Sequence, residues 1–228
     1  MNKEELLMLS QSRSDMYRLL GSLYLMEVDE EQLAALKQVS FPMIEGDSDA
    51  DMDLREGFEQ MKEALADMQK EDLEDLAADY AKVFLAAGDA AGRAAFPYES
   101  VYVDKKRQVG GSTGMQMKAL YLSRGFMPDP EMYRTMDDNI GLILEYLGIL
   151  CDEITQAIEQ SDYEKANQIS SEQKKVLKKH VTNWVYSFTS DIIKFSETRF
   201  YKAVAMITNG FIKKEAELLK GGKVWDIA

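Results

Sequence analysis

The chain has 228 residues, 46% of them apolar and 29% charged, a composition typical of a folded globular protein rather than a disordered or membrane-embedded one. Its formal net charge is −13, and because so acidic a chain repels phosphate backbones, we do not expect nucleic acid as a partner. The single cysteine, Cys151, excludes an intramolecular disulfide, and the single histidine, His180, excludes a zinc site built from two or three histidines of one chain.

The acidity is uneven along the chain. Residues 1–79 hold 21 Asp/Glu and 7 Lys/Arg, whereas residues 80–228 hold 19 and 20. No apolar run approaches the roughly 18–20 residues that span a bilayer, and the polar N-terminus does not resemble a secretory signal. We therefore expect a cytoplasmic protein without membrane insertion.

Apolar residues three and four positions apart, in long stretches without proline, predict about nine helices and almost no strand. They indicate an all-α, single-domain bundle over residues 1–228, with one long internal loop and a subdivision near residues 125–135 left open. The predicted helices cover, in chain order, about residues 4–26, a short stretch ending at 39, regions around 58–68 and 73–84, then 112–124, a region around 140–154, and 161–179, 180–195 and 197–220.

Capping residues indicate where several of these helices begin. Asp29 and Ser161 each stand three residues before a Gln or Glu, which is the pattern of a capping box. Thr135 or Asp137 is the expected cap of the helix around 140–154. That helix is apolar nearly all round, which predicts a central position in the core.

Two residues, Cys151 and His180, are of types that often act in catalysis. Cys151 lies on the apolar face of the predicted central helix, so we expect a buried structural thiol. His180 follows a lysine-rich stretch and has no nucleophile beside it, so we expect a surface histidine at a helix junction. No Ser-His-Asp or Cys-His arrangement and no metal-ligand set can be assembled, and the sequence therefore predicts no catalytic residue, cofactor or metal.

Helical periodicity fails over residues 86–111, and an irregular connection of this length is often functional. Its end, Gly110 to Gly114, reads Gly-Gly-Ser-Thr-Gly and precedes a helix. This run fits either a turn feeding a capped helix or an anion contact at a helix N-terminus. It lacks both the P-loop lysine and the dinucleotide-binding spacing.

The loop also carries Phe96-Pro97-Tyr98-Glu99-Ser100-Val101-Tyr102, an aromatic stretch with a carboxylate between two tyrosines. It resembles the Pro-(Tyr/Trp)-x-Ser-Val-Tyr segment of the TorD/DmsD/NarJ family, which are cytoplasmic chaperones for molybdenum-containing redox enzymes of anaerobic respiration. The resemblance covers about residues 5–215. Further elements agree in the same order, at residues 80–85, 111–113, 138–141 with 145–147, 180–184 and 198–203.

The resemblance implies a chaperone that is not an enzyme. Its partner would be the catalytic-subunit precursor of a molybdopterin oxidoreductase, held through its twin-arginine signal peptide or as apoenzyme until the cofactor is inserted and the precursor is ready for export. A basic, apolar leader needs an apolar groove and carboxylates, because arginine pairs well with carboxylates. The implied signal-peptide-binding residues are Tyr98 and Tyr102 as groove aromatics, Glu99 and Asp138 as arginine partners, Ser100 in the same segment, and Gly111 and Asn139 as wall positions.

One position departs from the family pattern. The family's Asp-His pair is Asp138-Asn139 here, and the change keeps hydrogen-bonding capacity but removes a titratable imidazole.

Tyr98 and Tyr102 would also fit a structural role in fastening the loop to the core. Alternative functions are a nucleotide (GTP)-binding hydrolase, or a helical protein-interaction module that binds through the acidic first third without signal-peptide specificity. The sequence is compatible with a monomer and with a domain-swapped dimer.

Overall fold

The computed structural model describes residues 1–88, 92–104, 109–129, 131, 133–221 and 224–225. The regular structure of these residues is ten α-helices and one 3-10 helix (Lys70–Asp72) with no strand, so the predicted all-α class is confirmed. None of these helices is both long enough and apolar enough to cross a membrane. The α-helices are α1 (Lys3–Leu25), α2 (Glu30–Leu36), α3 (Asp49–Asp67), α4 (Leu73–Phe84), α5 (Glu99–Val103), α6 (Ser112–Ser123), α7 (Ile140–Glu159), α8 (Tyr163–His180), α9 (Val185–Phe195) and α10 (Arg199–Leu218).

By their internal contacts the residues form two compact units. Unit 1 consists of residues 1–25, 98–184 and 215–228, and unit 2 of residues 26–97 and 185–214. Residues 125–135, where the sequence left a subdivision open, lie within unit 1. Unit 2 holds 21 Asp/Glu and 11 Lys/Arg, a net of −10, whereas unit 1 holds 19 and 16, a net of −3.

Helix α7 is the centre of unit 1, as its all-round apolar pattern predicts, and most of its residues are buried. It packs chiefly against α1 and α8. The approach to α1 is close because a Cβ on Gly141 would lie 2.5 Å from Leu25 Cγ and 2.8 Å from the Gly21 carbonyl oxygen. Real Cβ atoms do not come that near, so glycine at this position sets the separation of the two helices.

A polar network lies inside unit 1. Arg13 donates to both carboxylate oxygens of Glu215 at 2.7 Å, and the Tyr17 hydroxyl donates to Glu215 Oε2 at 2.6 Å. Arg13 also donates to Gln173 Oε1, and the Gln173 amide lies 3.0 Å from Cys151 Sγ. Burial raises the pKa of Cys151 to about 12, so the thiol stays protonated and the expected structural role is confirmed.

In unit 2, α3 and α10 approach closely through a reciprocal pair of glycines. A Cβ on Gly57 would lie 2.8 Å from Ile207 Cγ1, and one on Gly210 would lie 2.6 Å from Leu54 Cγ. Aromatic rings from α4, α9 and α10 fill the adjoining core with centroid separations of 5.0–6.2 Å. These rings are Tyr80, Phe84, Phe188 and Tyr201.

Asp79 of α4 fixes the connection between α9 and α10. Its carboxylate accepts bonds from Ser196 Oγ at 2.6 Å and from the amides of Glu197 and Thr198 at 3.0 and 2.8 Å. Burial acts to raise the pKa of Asp79, but these hydrogen bonds outweigh it, and the pKa lies below its ordinary value.

Several predicted element ends need correction. The extra helix, α5, lies inside the predicted loop and is too short to produce a period. The cap of α7 is Asn139, rather than Thr135 or Asp137. Helix α8 is capped by Asp162 instead of Ser161, because Ser161 adopts a positive φ of 59° in the preceding turn.

Helix α2 begins as predicted, since the Asp29 side chain accepts a bond from the Gln32 amide at 2.7 Å, but it ends at Leu36 rather than Val39. Two predicted features lie partly outside the described residues. These are the long loop, at residues 89–91 and 105–108, and the C-terminal helix stop, at Gly222.

Candidate functional site

The aromatic loop segment is joined to the start of α7 within unit 1. Tyr98 is extended and forms an isolated antiparallel bridge with Asn139, and the Glu99 amide donates to the Asp138 carbonyl oxygen at 3.0 Å. Helix α5 begins directly after this bridge and buries Glu99, Ser100 and Val101. The predicted site residues from two distant parts of the chain are therefore neighbours.

Asp138 connects three elements of unit 1. Its Oδ2 accepts bonds from the Ser100 amide of α5 at 2.9 Å and from the Thr113 hydroxyl of α6 at 3.0 Å. The residue is fully buried, and its Oδ1 has no donor among the described residues. The carboxylate thus holds the loop in place and does not reach the surface, where the resemblance placed an arginine partner.

Asn139 caps α7 and continues the same network. Its Oδ1 accepts a bond from the Gly141 amide at 2.8 Å, while its Nδ2 donates to Thr135 Oγ1 at 2.9 Å. The Thr135 hydroxyl in turn donates to the Tyr98 hydroxyl oxygen at 3.1 Å. Asn139 is 3% exposed, so this side chain organises the site from inside rather than forming its outer wall.

His180 is buried, which corrects the predicted surface position. Its Nδ1 lies 2.8 Å from Glu99 Oε2, and each side chain is only 3% exposed. Glu99 is therefore already paired, and it is not an exposed arginine partner either. One turn further on, the Trp184 indole N–H donates to the His180 carbonyl at 2.7 Å, and Tyr102 stacks on Trp184 with a centroid separation of 5.4 Å.

Gly111 is exposed at the N-cap of α6 with φ 93°, a conformation that favours glycine. The preceding Gly110 amide donates to Ser100 Oγ at 3.0 Å, which ties this turn to α5. The Asp138 carboxylate already lies at the first turn of α6, because it bonds Thr113 there. This arrangement favours a turn that feeds a helix over an anion contact.

A groove opens beside this polar cluster, between α6, residues 126–128 and 133–137, and α7. Its cavity has a volume of about 440 Å³, and Thr135 belongs both to its wall and to the Asn139 network. Leu122 and Met127 are 55% and 74% exposed there, so apolar surface is open to solvent. The described residues that line it are Lys118, Tyr121, Leu122, Phe126, Met127, Pro128, Tyr133, Thr135, Asp137 and Leu142.

Carboxylates lie near this groove, and one of them, Asp137, belongs to its described lining together with the ammonium of Lys118. Burial raises the pKa of Tyr133, and the carboxylates of Glu145 and Asp129 raise it further. Burial likewise raises the pKa of Tyr121, with Asp137 the next contributor. A groove with exposed apolar side chains and carboxylates nearby can accept a ligand that is both apolar and basic.

The structure brings most of the residues named from the resemblance together and buries the two expected arginine partners. One cluster is formed by Tyr98, Glu99, Ser100, Asp138 and Asn139. Gly111 is joined to it through its neighbour Gly110, and Tyr102 stacks on Trp184. Sequence reasoning missed the contributions of Thr113, Thr135, His180 and Trp184. For the last two, a signal was present in the spacing of four residues between them, which lets the Trp184 indole reach the His180 carbonyl oxygen across the turn that follows α8.

The fold and the site define an all-α protein that carries an open apolar groove beside a buried polar cluster. A family model described as "Nitrate reductase delta subunit" matches residues 47–190, more than half of the chain. The chain belongs to this family, which is the TorD/NarJ family that the sequence elements predict.

Curated relatives cover almost the whole chain. The Chaperone protein TorD of Shewanella pealeana is 26% identical over 92% of this chain and 90% of the relative. The corresponding proteins of Vibrio cholerae serotype O1 (strain El Tor Inaba N16961) and Shewanella loihica are 26% and 27% identical over 95% and 92% of this chain, and over 96% and 94% of the relatives. These relatives are named as chaperones, a class that is not enzymatic, and the prediction that the chain is not an enzyme is confirmed.

Proposed function

We propose that this chain is a cytoplasmic chaperone of redox-enzyme maturation that binds the twin-arginine signal peptide of a molybdopterin oxidoreductase precursor. In this proposal it holds the precursor as apoenzyme until the cofactor is inserted and export can follow. The observation that carries the proposal is the groove of unit 1, which combines exposed apolar side chains with the Asp137 carboxylate in its lining. The names of the relatives support the chaperone role.

The apolar stretch of such a leader would lie along Leu122, Phe126 and Met127. Burying one leucine side chain of the peptide there contributes about 1.5–3 kcal/mol. The arginine pair would meet Asp137, which lines the groove, and Asp129, which follows the lining residue Pro128. Carboxylates favour arginine over lysine here because the guanidinium forms two parallel hydrogen bonds.

The residues singled out from the resemblance then act by positioning. Asp138 and Asn139 hold the α7 start against α5, and Thr135 passes this constraint to the groove wall. The buried pair of Glu99 and His180 fastens α5 to α8. We propose that this cluster keeps the groove open before the leader arrives, which lowers the ordering cost of binding.

Calorimetric titration with a synthetic twin-arginine leader, and with the same peptide carrying Lys-Lys, tests the proposal. We expect the Arg-Arg peptide to bind more tightly, and Asp137→Asn to reduce that preference. Leu122→Gln should weaken binding about tenfold, whereas Met115→Gln should have no effect. Both side chains are exposed on α6 (55% and 69%), but Met115 lies outside the groove lining. If neither peptide binds, the proposal is rejected.

A further inference from the structure

Unit 2 carries two further cavities, of about 540 and 390 Å³, along one face of α3. Arg55 and Phe58 line the smaller cavity, Leu65 lines the larger one, and Lys62 lines both. These positions are three or four residues apart, so they form a single helical stripe. The shared Lys62 makes the two cavities one groove, which we call the α3 groove.

The opposite wall of the α3 groove is the non-helical segment that follows α2. Phe41 and Phe58 pack with ring centroids 5.3 Å apart at the base of the groove. Two apolar side chains of this wall, Val39 and Met43, are 38% and 87% exposed. Apolar surface is therefore available along the groove on both sides of Lys62.

The charge of the α3 groove is opposite to that of its unit. Residues 26–97 contain six Lys/Arg, and three of them, Lys37, Arg55 and Lys62, line the groove. Glu59 is the one acidic residue of its described lining, although unit 2 has a net charge of −10. Cations are thus gathered where the rest of the unit is acidic.

Two of these cations already have partners. Lys37 Nζ donates to the Met68 carbonyl oxygen, and the Arg55 guanidinium donates to carbonyl oxygens of the wall segment. The Lys62 ammonium is exposed and has no hydrogen-bond or ion-pair partner among the described residues. An open cation between two cavities that both have apolar side chains in their walls is suited to a carboxylate with apolar neighbours.

We propose that the α3 groove docks a segment of a partner protein in which one Asp or Glu is flanked by apolar side chains. The carboxylate pairs with Lys62, and the apolar side chains enter the cavities on either side. The surrounding acidic surface repels segments with further negative charge, so the partner segment carries its carboxylate at this one place. This chemistry is opposite to that of a twin-arginine leader, and the inference does not depend on the function proposed for unit 1.

Selection of a random 12-residue peptide library on the full-length protein tests the inference. We expect enrichment of peptides with one Asp or Glu between apolar residues, and we would measure their affinity by fluorescence anisotropy. Lys62→Glu should weaken such a peptide about tenfold, since it replaces an attraction by a repulsion. Lys70→Glu is the matched control, because Lys70 is also exposed in unit 2 but pairs with Glu30 outside the groove.

A second pair of variants tests whether binding depends on the shape of the α3 groove as well as on its charge. Ala66→Trp places a large ring in the larger cavity and should block the peptide, whereas Ala78→Trp, at an exposed position of α4, should not. Binding of the twin-arginine leader should be unchanged in all four variants. The inference is overturned if acidic residues are not enriched over the library, or if Lys62→Glu and Ala66→Trp bind the selected peptide like the wild type.

Discussion

Replacing Asn139 by alanine tests whether this residue organises the site as the hydrogen bonds indicate. In the folded chain Asn139 makes two side-chain hydrogen bonds, one to the Gly141 amide and one to Thr135 Oγ1. The substitution removes both, and it leaves the Gly141 amide unpaired at a buried helix start. The Thr135 side chain, which donates to the Tyr98 hydroxyl oxygen, is then no longer held in place by Asn139.

The expected loss of stability follows from these two bonds. An N-cap contributes about 1 kcal/mol, and the second buried hydrogen bond about another 1 kcal/mol. We therefore expect the free energy of unfolding to fall by about 2 kcal/mol, which lowers Tm by roughly 4–8 °C for a chain of this length. Urea denaturation gives the total change, and hydrogen exchange of the Gly141 amide shows whether the loss begins at the first turn of α7.

Two further variants sharpen the test. Asn139→Ser keeps an oxygen that caps α7, so it should recover about half of the loss. Asn139→His restores the family residue, and its neutral imidazole can cap, but protonation removes the acceptor. The pKa of the introduced imidazole is then lower in the folded chain than in the unfolded chain, so stability should fall as the pH drops through about 6.5. Asn139 makes no such contribution because an amide does not titrate in this range. Unchanged stability in Asn139→Ala would refute the assigned role.

Three other predictions concern the packing around the site and the core of each unit. Glu99→Ala should lower the free energy of unfolding, measured by urea denaturation, by about 3 kcal/mol because it leaves His180 buried without a partner. Glu99→Gln keeps a hydrogen-bond partner for His180 and should lower it by about 1 kcal/mol. Equal losses in the two variants would contradict a specific Glu99–His180 pair. The depressed pKa of Asp79 means that its contribution is present above about pH 4 and lost as the pH falls further. Asp79→Asn should therefore lower stability at pH 7 and flatten the acid limb of a pH–stability profile, and an unaltered limb would count against this. Gly141→Ala should lower the free energy of unfolding by about 2–3 kcal/mol, because its methyl group overpacks the contact with α1. Gly148→Ala should lower it by no more than about 1 kcal/mol, because its methyl group meets the flexible Arg18 side chain at 3.3 Å.

The sequence was sufficient for the helical class because the period of apolar residues is a local property. The central position of α7 followed from its all-round apolar surface, and the buried state of Cys151 followed from that position. Helix α5 could not be found in this way, since its five residues span little more than one turn. Its start is defined by the bridge between Tyr98 and Asn139, which are 41 positions apart.

The errors within the site have the same origin. Lysines before His180 indicated an exposed helix end, but its burial is decided by Glu99, which lies 81 residues earlier. Thr135 and Asp137 are good caps by type, yet Asn139 caps α7 because the bridge to Tyr98 fixes the backbone at that residue. Local patterns name the residues available for a role, and long-range pairing selects among them.

The pairing of Arg13 with Glu215 has a consequence for the synthesis of the chain. The two residues are 202 positions apart, so at about 5–20 residues per second some 10–40 seconds separate their appearance on the ribosome. During that interval the guanidinium in α1 has no carboxylate to bury against, and unit 1 remains incomplete. A copy that terminates before residue 215 never acquires this carboxylate. The buried ion pair can therefore form only once the chain has been synthesised almost to its last helix turn.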